Sequence, residues 1–393
     1  DRKTGRLAAL LYAVTLLPFV AANVLTPDTL LTFWAVCCAY FYMPASGLVP
    51  SGRRGACWVA FGICAGMGVL TKGPAILIFL APLAVEFLLR ERWRAFTTAG
   101  PYVAGLVAAG VGALWYVPII MKMNGAGAYF LDNEIIGRLF TSSYHRNPEA
   151  VGGLVVYLPV LLLGTLPSSV LWPALARRLY KKSRPRRVTG RPRGTLIALW
   201  IGIPLVILLA ARSRLPLYAL PLFVPIALLT ARAARVALPA RGAERRRLLL
   251  VGVGVWISCL VIVKASSDRL YPERNTATLA HELRPLVPDD TVEVVVVDRK
   301  MNALPLYGFK NVERVTVNRD PYPFYMPTET LAEEMAGQRH ETGPFAYIVP
   351  QRKLAKFSKI AASSGMSCQT QGSVHDSVVL VCAPEGRTAG ASP

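Results

Sequence analysis

The sequence has 393 residues, 53% of them hydrophobic and 17% charged, with a mean hydropathy of +0.40 and a formal net charge of +21. That apolar content excludes an ordinary soluble domain for the first two thirds of the chain. The basic excess does not form a nucleic-acid face: every second loop together holds 23 Lys and Arg, the intervening loops only 6, which is the positive-inside pattern of a polytopic membrane protein.

Apolar runs long enough to cross a bilayer as helix lie near 7–23, 29–45, 55–71, 73–89, 97–118, 152–173, 195–211, 215–231 and 248–264, giving nine expected spans. The charge alternation puts the N-terminus inside and everything after the ninth span outside. The expected location is a membrane, multi-pass, with an extracytoplasmic C-terminal domain. The sequence starts at Asp1 without a methionine, and an N-terminal piece is expected to be missing.

In chain order, Asp28 follows Pro27 in a very short exterior turn, where a carboxylate also suits the start of the next helix. Gly62 and Gly66 have small-xxx-small spacing, which lets helix backbones approach closely in lipid. The same segment ends at Thr71-Lys72-Gly73-Pro74. Lys72 is an exterior cation set against the topological charge bias; it suits a phosphate headgroup, with lysine snorkelling as the plainer explanation.

Residues 121–150 gather Asp132, Glu134, Arg138, His145 and Arg146 between two apolar runs. Glu134 and Arg138 have the i,i+4 spacing of a helical ion pair, with apolar residues between them, so a short juxtamembrane helix is expected near 128–141. His145 suits a metal through neutral imidazole, and Arg146 suits bidentate phosphate binding. After span seven, Arg212 and Arg214 again place positive charge outside, followed by Tyr218. The loop 177–193 is Pro- and Arg-rich and suits anionic lipid headgroups.

From about Ser266 the composition becomes that of a soluble domain. Strands are expected at 291–298, 344–350 and 377–382 and helices at 328–338 and 352–365, an α/β alternation. Cys368 and Cys382 flank strand-like segments and can pair if their compartment is oxidising. His281, His340 and His375 show no ligand spacing.

Taken together, LTPDTLLTFW, GMGVLTKGP, the stretch from YFLDNEIIGRLF through SYHRNP to YLPVLLLGTLP, and SRLPLYALP resemble the aminoarabinose lipid A transferases. More broadly they resemble the bacterial relatives of protein O-mannosyltransferases, membrane-embedded GT-C glycosyltransferases of families 39 and 83. The resemblance implies an α-helical polytopic membrane protein of GT-C type. Residues 1–264 would form the transmembrane glycosyltransferase region and residues 265–393 a small extracytoplasmic α/β domain. It also implies transfer of a sugar from a polyprenyl-phosphate donor to a lipid, glycan or protein acceptor at the outer face of the plasma membrane.

Carried over position by position, the resemblance makes Asp28 the catalytic candidate and assigns substrate and phosphate contacts to Lys72, Glu134, Arg138, Arg146, Arg214 and Tyr218. It makes His145 the ligand of a divalent metal cation. The family's principal catalytic aspartate and a metal-holding acidic residue lie in the first exterior loop, which has no counterpart here, so the sequence is expected to be N-terminally truncated. Departures at 148–153 and at Pro167-Ser168 touch the lipid or acceptor path and leave the sugar and acceptor open. The rival readings are a transporter or flippase of an anionic lipid-linked substrate and a membrane-anchored binding protein. The placement of ionisable groups at span ends, without visible repeats, disfavours the transporter.

Overall fold

The computed structural model describes residues 1–123, 125–137, 149, 151–182, 192–237, 243–270, 275–299, 301–318, 329–341 and 343–384. It divides into two compact units, Asp1–Leu260 and Val261–Pro393.

The first unit is helical, and each of the nine apolar runs falls on helix. Helices α1 (Arg2–Val14) and α2 (Leu16–Ala22) form one pair bent by 65°. Helix α3 is Asp28–Ala45, α4 Arg54–Lys72, α5 Ile76–Glu91 and α6 Ala99–Lys122. By length and composition Arg54–Glu91 passes as one membrane-crossing stretch of 38 residues, but it is two antiparallel helices. Trp58 near the start of α4 stacks edge-on against Phe87 near the end of α5, with ring centroids 5.8 Å apart. The reversal occurs at Gly73, whose φ of +57° strains any side-chain-bearing residue.

The glycine spacing in α4 does what its pattern predicts. A Cβ on Gly62 would come within 2.5 Å of the Ala104 carbonyl oxygen, and one on Gly66 within 2.6 Å of the Val111 Cβ, so α4 lies directly on the α6 backbone. Helix α6 otherwise presents side chains such as Leu106 and Leu114 outward, each about three-quarters exposed. Apolar surface of that extent belongs in lipid, and the chain is a multi-pass membrane protein.

Helix α7 (Gly152–Leu163) turns by 80° into a short 3₁₀ segment and α8 (Trp172–Lys182); α9 (Pro192–Ala210), α10 (Phe223–Ala237) and α11 (Ala243–Leu270) follow. The juxtamembrane helix differs from its expected form. A single α-turn, Ala126–Tyr129, runs into a π-helix over Phe130–Gly137, and residues 138–141 lie outside the described residues. Aromatic contacts hold this segment to the end of α6, with the Phe130 ring centroid 5.0 Å from that of Tyr116 and 6.0 Å from that of Trp115.

The second unit is an α/β domain built on five strands: β1 (Glu293–Val297), β2 (Val312–Val315), β3 (Phe345–Pro350), β4 (Met366–Val374) and β5 (Ser377–Pro384). Their order is β2-β1-β3-β5-β4. The β2-β1-β3 part is parallel and the rest antiparallel. Alternate residues of β1 and β3 serve two cores. Val295, Val297, Phe345 and Tyr347 pack under α13 (Leu331–Gln338) and α14 (Leu354–Ser363), whereas Val294, Val296 and Ile348 pack with Leu279 and Leu283 of α12 (Thr276–Leu283). Cys368 and Cys382 lie directly opposite each other in the β4–β5 ladder and form a disulfide. Strands β2 and β4 escape the sequence pattern because both carry polar residues on an edge of the sheet.

Candidate functional site

Three of the expected site residues meet at one end of the first unit. Asp28 is the first residue of α3, where its charge suits the positive end of the helix. It is 5% exposed, and the Thr32 hydroxyl donates to its carbonyl at 2.8 Å, tightening the first turn. Lys72 is the last residue of α4. Its ammonium donates to the Asp28 carboxylate, forming an ion pair whose side chains are 13% and 7% exposed. The same ammonium stands 4.4 Å above the centroid of the Tyr218 ring, a cation–π contact.

Tyr218 belongs to a 3₁₀ segment, Pro216–Leu222, that the extended Leu215 introduces. Proline at the start of the segment has no N–H to leave unsatisfied there. Tyr157 of α7 is fully buried in the cluster holding Ala219, Leu222 and Phe223, with Tyr218 packed against it. Its phenol lies near Tyr218, Arg214 and Asp28. A tyrosine in an otherwise apolar span gives no spacing signal, and sequence reasoning did not single it out as a site residue.

Arg214 lies on the same turn, 3% exposed. Two of its guanidinium nitrogens donate to backbone, to the Glu149 carbonyl at 2.6 Å and the Leu209 carbonyl at 3.1 Å. These bonds tie the turn to the end of α9 and to the chain ahead of α7.

Tyr116 of α6 also approaches this end. A Cβ on Gly73 would lie 3.2 Å from its hydroxyl oxygen. Through Tyr116 the turn after Lys72 neighbours the juxtamembrane segment. Within that segment Glu134 is placed along the π-helix by its backbone alone. Arg138, His145 and Arg146 lie outside the described residues. The expected metal ligand His145 is thus among the residues not described. Among the described residues, one group of carboxylates has metal-holding spacing: Glu293, Glu313 and Glu334, in the second unit.

The family described as dolichyl-phosphate-mannose-protein mannosyltransferase matches residues 1–122. The undecaprenyl phosphate-alpha-4-amino-4-deoxy-L-arabinose arabinosyl transferase of Pectobacterium carotovorum subsp. carotovorum is 29% identical over 237 residues, covering 59% of this chain and 40% of that protein. The protein of the same name from Aeromonas salmonicida is 28% identical over 293 residues, covering 71% of this chain and 50% of that protein. ArnT from Cupriavidus metallidurans, solved bound to undecaprenyl phosphate, superposes with a TM-score of 0.66 at 16% identity, over 96% of this chain and 79% of that one. The chain shares the fold of that solved protein. The resemblance seen in the ordered motifs thus extends to curated sequences and to three-dimensional structure. The chain spans 40% to 50% of the length of these two curated aminoarabinose transferases.

Proposed function

We propose that this chain works as an integral-membrane glycosyltransferase that moves a sugar from a polyprenyl-phosphate donor to a lipid, glycan or protein acceptor on the outer face of the plasma membrane. The observation that carries this reading is the largely buried Lys72 ammonium, fixed between Asp28 and the Tyr218 ring where two helix ends meet. The relatives are named as arabinosyl transferases with undecaprenyl phosphate in their substrate, and the structural neighbour holds undecaprenyl phosphate.

Cleaving the bond between a sugar and a lipid phosphate leaves negative charge on the phosphate oxygens. A preorganised ammonium in a water-poor site stabilises that charge without reorganising solvent. Lys72 supplies the cation. Asp28 and Tyr218 hold it in place, and Arg214 fixes the turn that carries Tyr218. The Asp28 carboxylate is committed to Lys72, so we assign it a positioning role and do not assign it deprotonation of the acceptor. Glu134, Arg138 and Arg146 are proposed as further substrate contacts, and His145 as the residue that would hold a divalent cation, which would add positive charge beside the lipid phosphate.

The outward placement of this end rests on the alternation of basic loops. The Cys368–Cys382 disulfide supports an oxidising, extracytoplasmic setting for the second unit. The test is release of polyprenyl phosphate from radiolabelled lipid-linked sugars by purified protein carrying this chain. Lys72→Ala is expected to lower turnover about a hundredfold, the usual loss for one such stabilising group. Turnover equal to that of the parent would remove the basis of the reading.

A further inference from the structure

At the end of the first unit opposite Asp28 and Lys72, a cavity of about 410 Å³ opens between the end of α3, the start of α4, the end of α5 and the start of α6. Ser46, Arg54, Trp58, Glu91, Thr98 and Gly100 line it. Its acid is already taken, because Arg90 donates to Glu91 at 2.5 Å. Its arginine is not: among the described residues Arg54 forms no ion pair. The Arg54 guanidinium lies against Gly47, at a φ of +83°, where a Cβ would come within 3.2 Å of Nη2.

Two long helices also begin at this cavity without a side-chain cap, α4 at Arg54 and α6 at Ala99. Their first-turn N–H groups have no intrahelical acceptor, and both dipoles are positive here. The Thr98 hydroxyl donates to the Arg94 carbonyl at 2.7 Å and accepts no N–H of α6. Trp58 adds a further donor. It is 7% exposed, and its indole N–H makes no hydrogen bond among the described residues. The indole edge rests on Gly100, where a Cβ would overlap Nε1.

The wall behind these donors is held by a buried hydrogen-bonded and aromatic cluster. Tyr42 sits among Trp58, Phe61 and Phe87 and donates to the buried Glu86 carboxylate, which also accepts from Arg90 Nε at 3.0 Å. Outside, the turn after α5 carries Arg92 and Arg94 beside Trp93, Phe96 and Tyr102, which are 85%, 60% and 57% exposed. Basic and aromatic side chains in that mixture mark the headgroup level of a bilayer.

We propose that this cavity binds a phosphate oxyanion, delivered as the headgroup of an anionic phospholipid from the leaflet at this end of the helices, opposite the Asp28–Lys72 end. The aromatic rim at lipid level favours a headgroup over soluble phosphate. The inference does not depend on the sugar-transfer reading.

The experiment is native mass spectrometry of the purified protein after equilibration with equimolar phosphatidylglycerol and phosphatidylcholine, with and without added inorganic phosphate. The parent is expected to retain phosphatidylglycerol about tenfold over phosphatidylcholine. Arg54→Gln should cut that preference about fivefold. Trp58→Phe, which keeps the ring and removes the N–H, should cut it about threefold. Equal retention of the two lipids by the parent would overturn the proposal, and so would full preference in both variants. Displacement of the lipid by inorganic phosphate would reassign the cavity to a soluble anion and overturn the lipid source.

Discussion

Asp28 and Lys72 are 44 residues apart in sequence yet form one buried ion pair. Each could be suspected singly, as a charge at the end of an apolar run. Their pairing could not be read, because it depends on how α3 and α4 pack and on where Gly73 turns the chain. Removing one partner of a buried pair leaves the other charge uncompensated, which costs about 3–5 kcal/mol. Asp28→Asn should therefore lower stability by about that amount, and adding Lys72→Met should restore a large part of it. Thermal unfolding of the two single variants and the double variant closes the cycle. Additive losses would mean that the pair does not exist in the folded protein. The same distance problem hid Glu86, which the sequence shows only as an acid inside an apolar run. Tyr42, 44 residues earlier, is what satisfies it.

The apolar runs were legible as helices because twenty or so lipid-facing residues leave few alternatives. The glycines of α4 were legible as a contact face for the same reason, since small residues at that spacing have few other uses. In the second unit the buried strands β1, β3 and β5 declared themselves by apolar runs, while a cluster drawn from three separate elements did not. Glu293 of β1, Glu313 of β2 and Glu334 of α13 converge within 4.8 Å of one another. Gln338 donates to Glu293 at 3.1 Å and to Glu334 at 2.7 Å, and accepts from the Tyr347 hydroxyl.

Burial, then the neighbouring Glu293, pushes the Glu313 carboxyl up to about 7. Burial, then the charges of Glu293 and Glu313 with Glu329 beyond them, pushes Glu334 up to about 8. In the unfolded chain both return to the ordinary value of 4.5. Between about pH 4.5 and pH 8 the folded domain thus binds protons that the unfolded chain has released, and stability falls as pH rises through that window. Glu334→Gln, fixed in the neutral form, should exceed the parent by about 1–2 kcal/mol near pH 8, with the difference vanishing toward pH 5. Denaturant unfolding at the two pH values measures it. A difference independent of pH would show that the three carboxylates do not share their environment.

At the scale of the whole chain, the basic residues were the most informative feature of the sequence. Their alternation predicts which helix ends share a side, and the helix directions are consistent with that prediction. Helix α4 runs from Arg54 to Lys72 over 19 residues, roughly 28 Å of rise, which is one hydrocarbon thickness. The turn at 23–27 and the turn after Lys72 must then face one compartment, while 46–53 and 92–98 face the other. Single cysteines in a cysteine-free background put this to the test, placed at the fully exposed Leu25 and at the exposed Gly52. A membrane-impermeant maleimide added to intact cells should label the first and reach the second only after lysis. Labelling of both from outside would break the alternation, and with it the assignment of Lys72 to the outer face and of the Arg54 cavity to the inner leaflet.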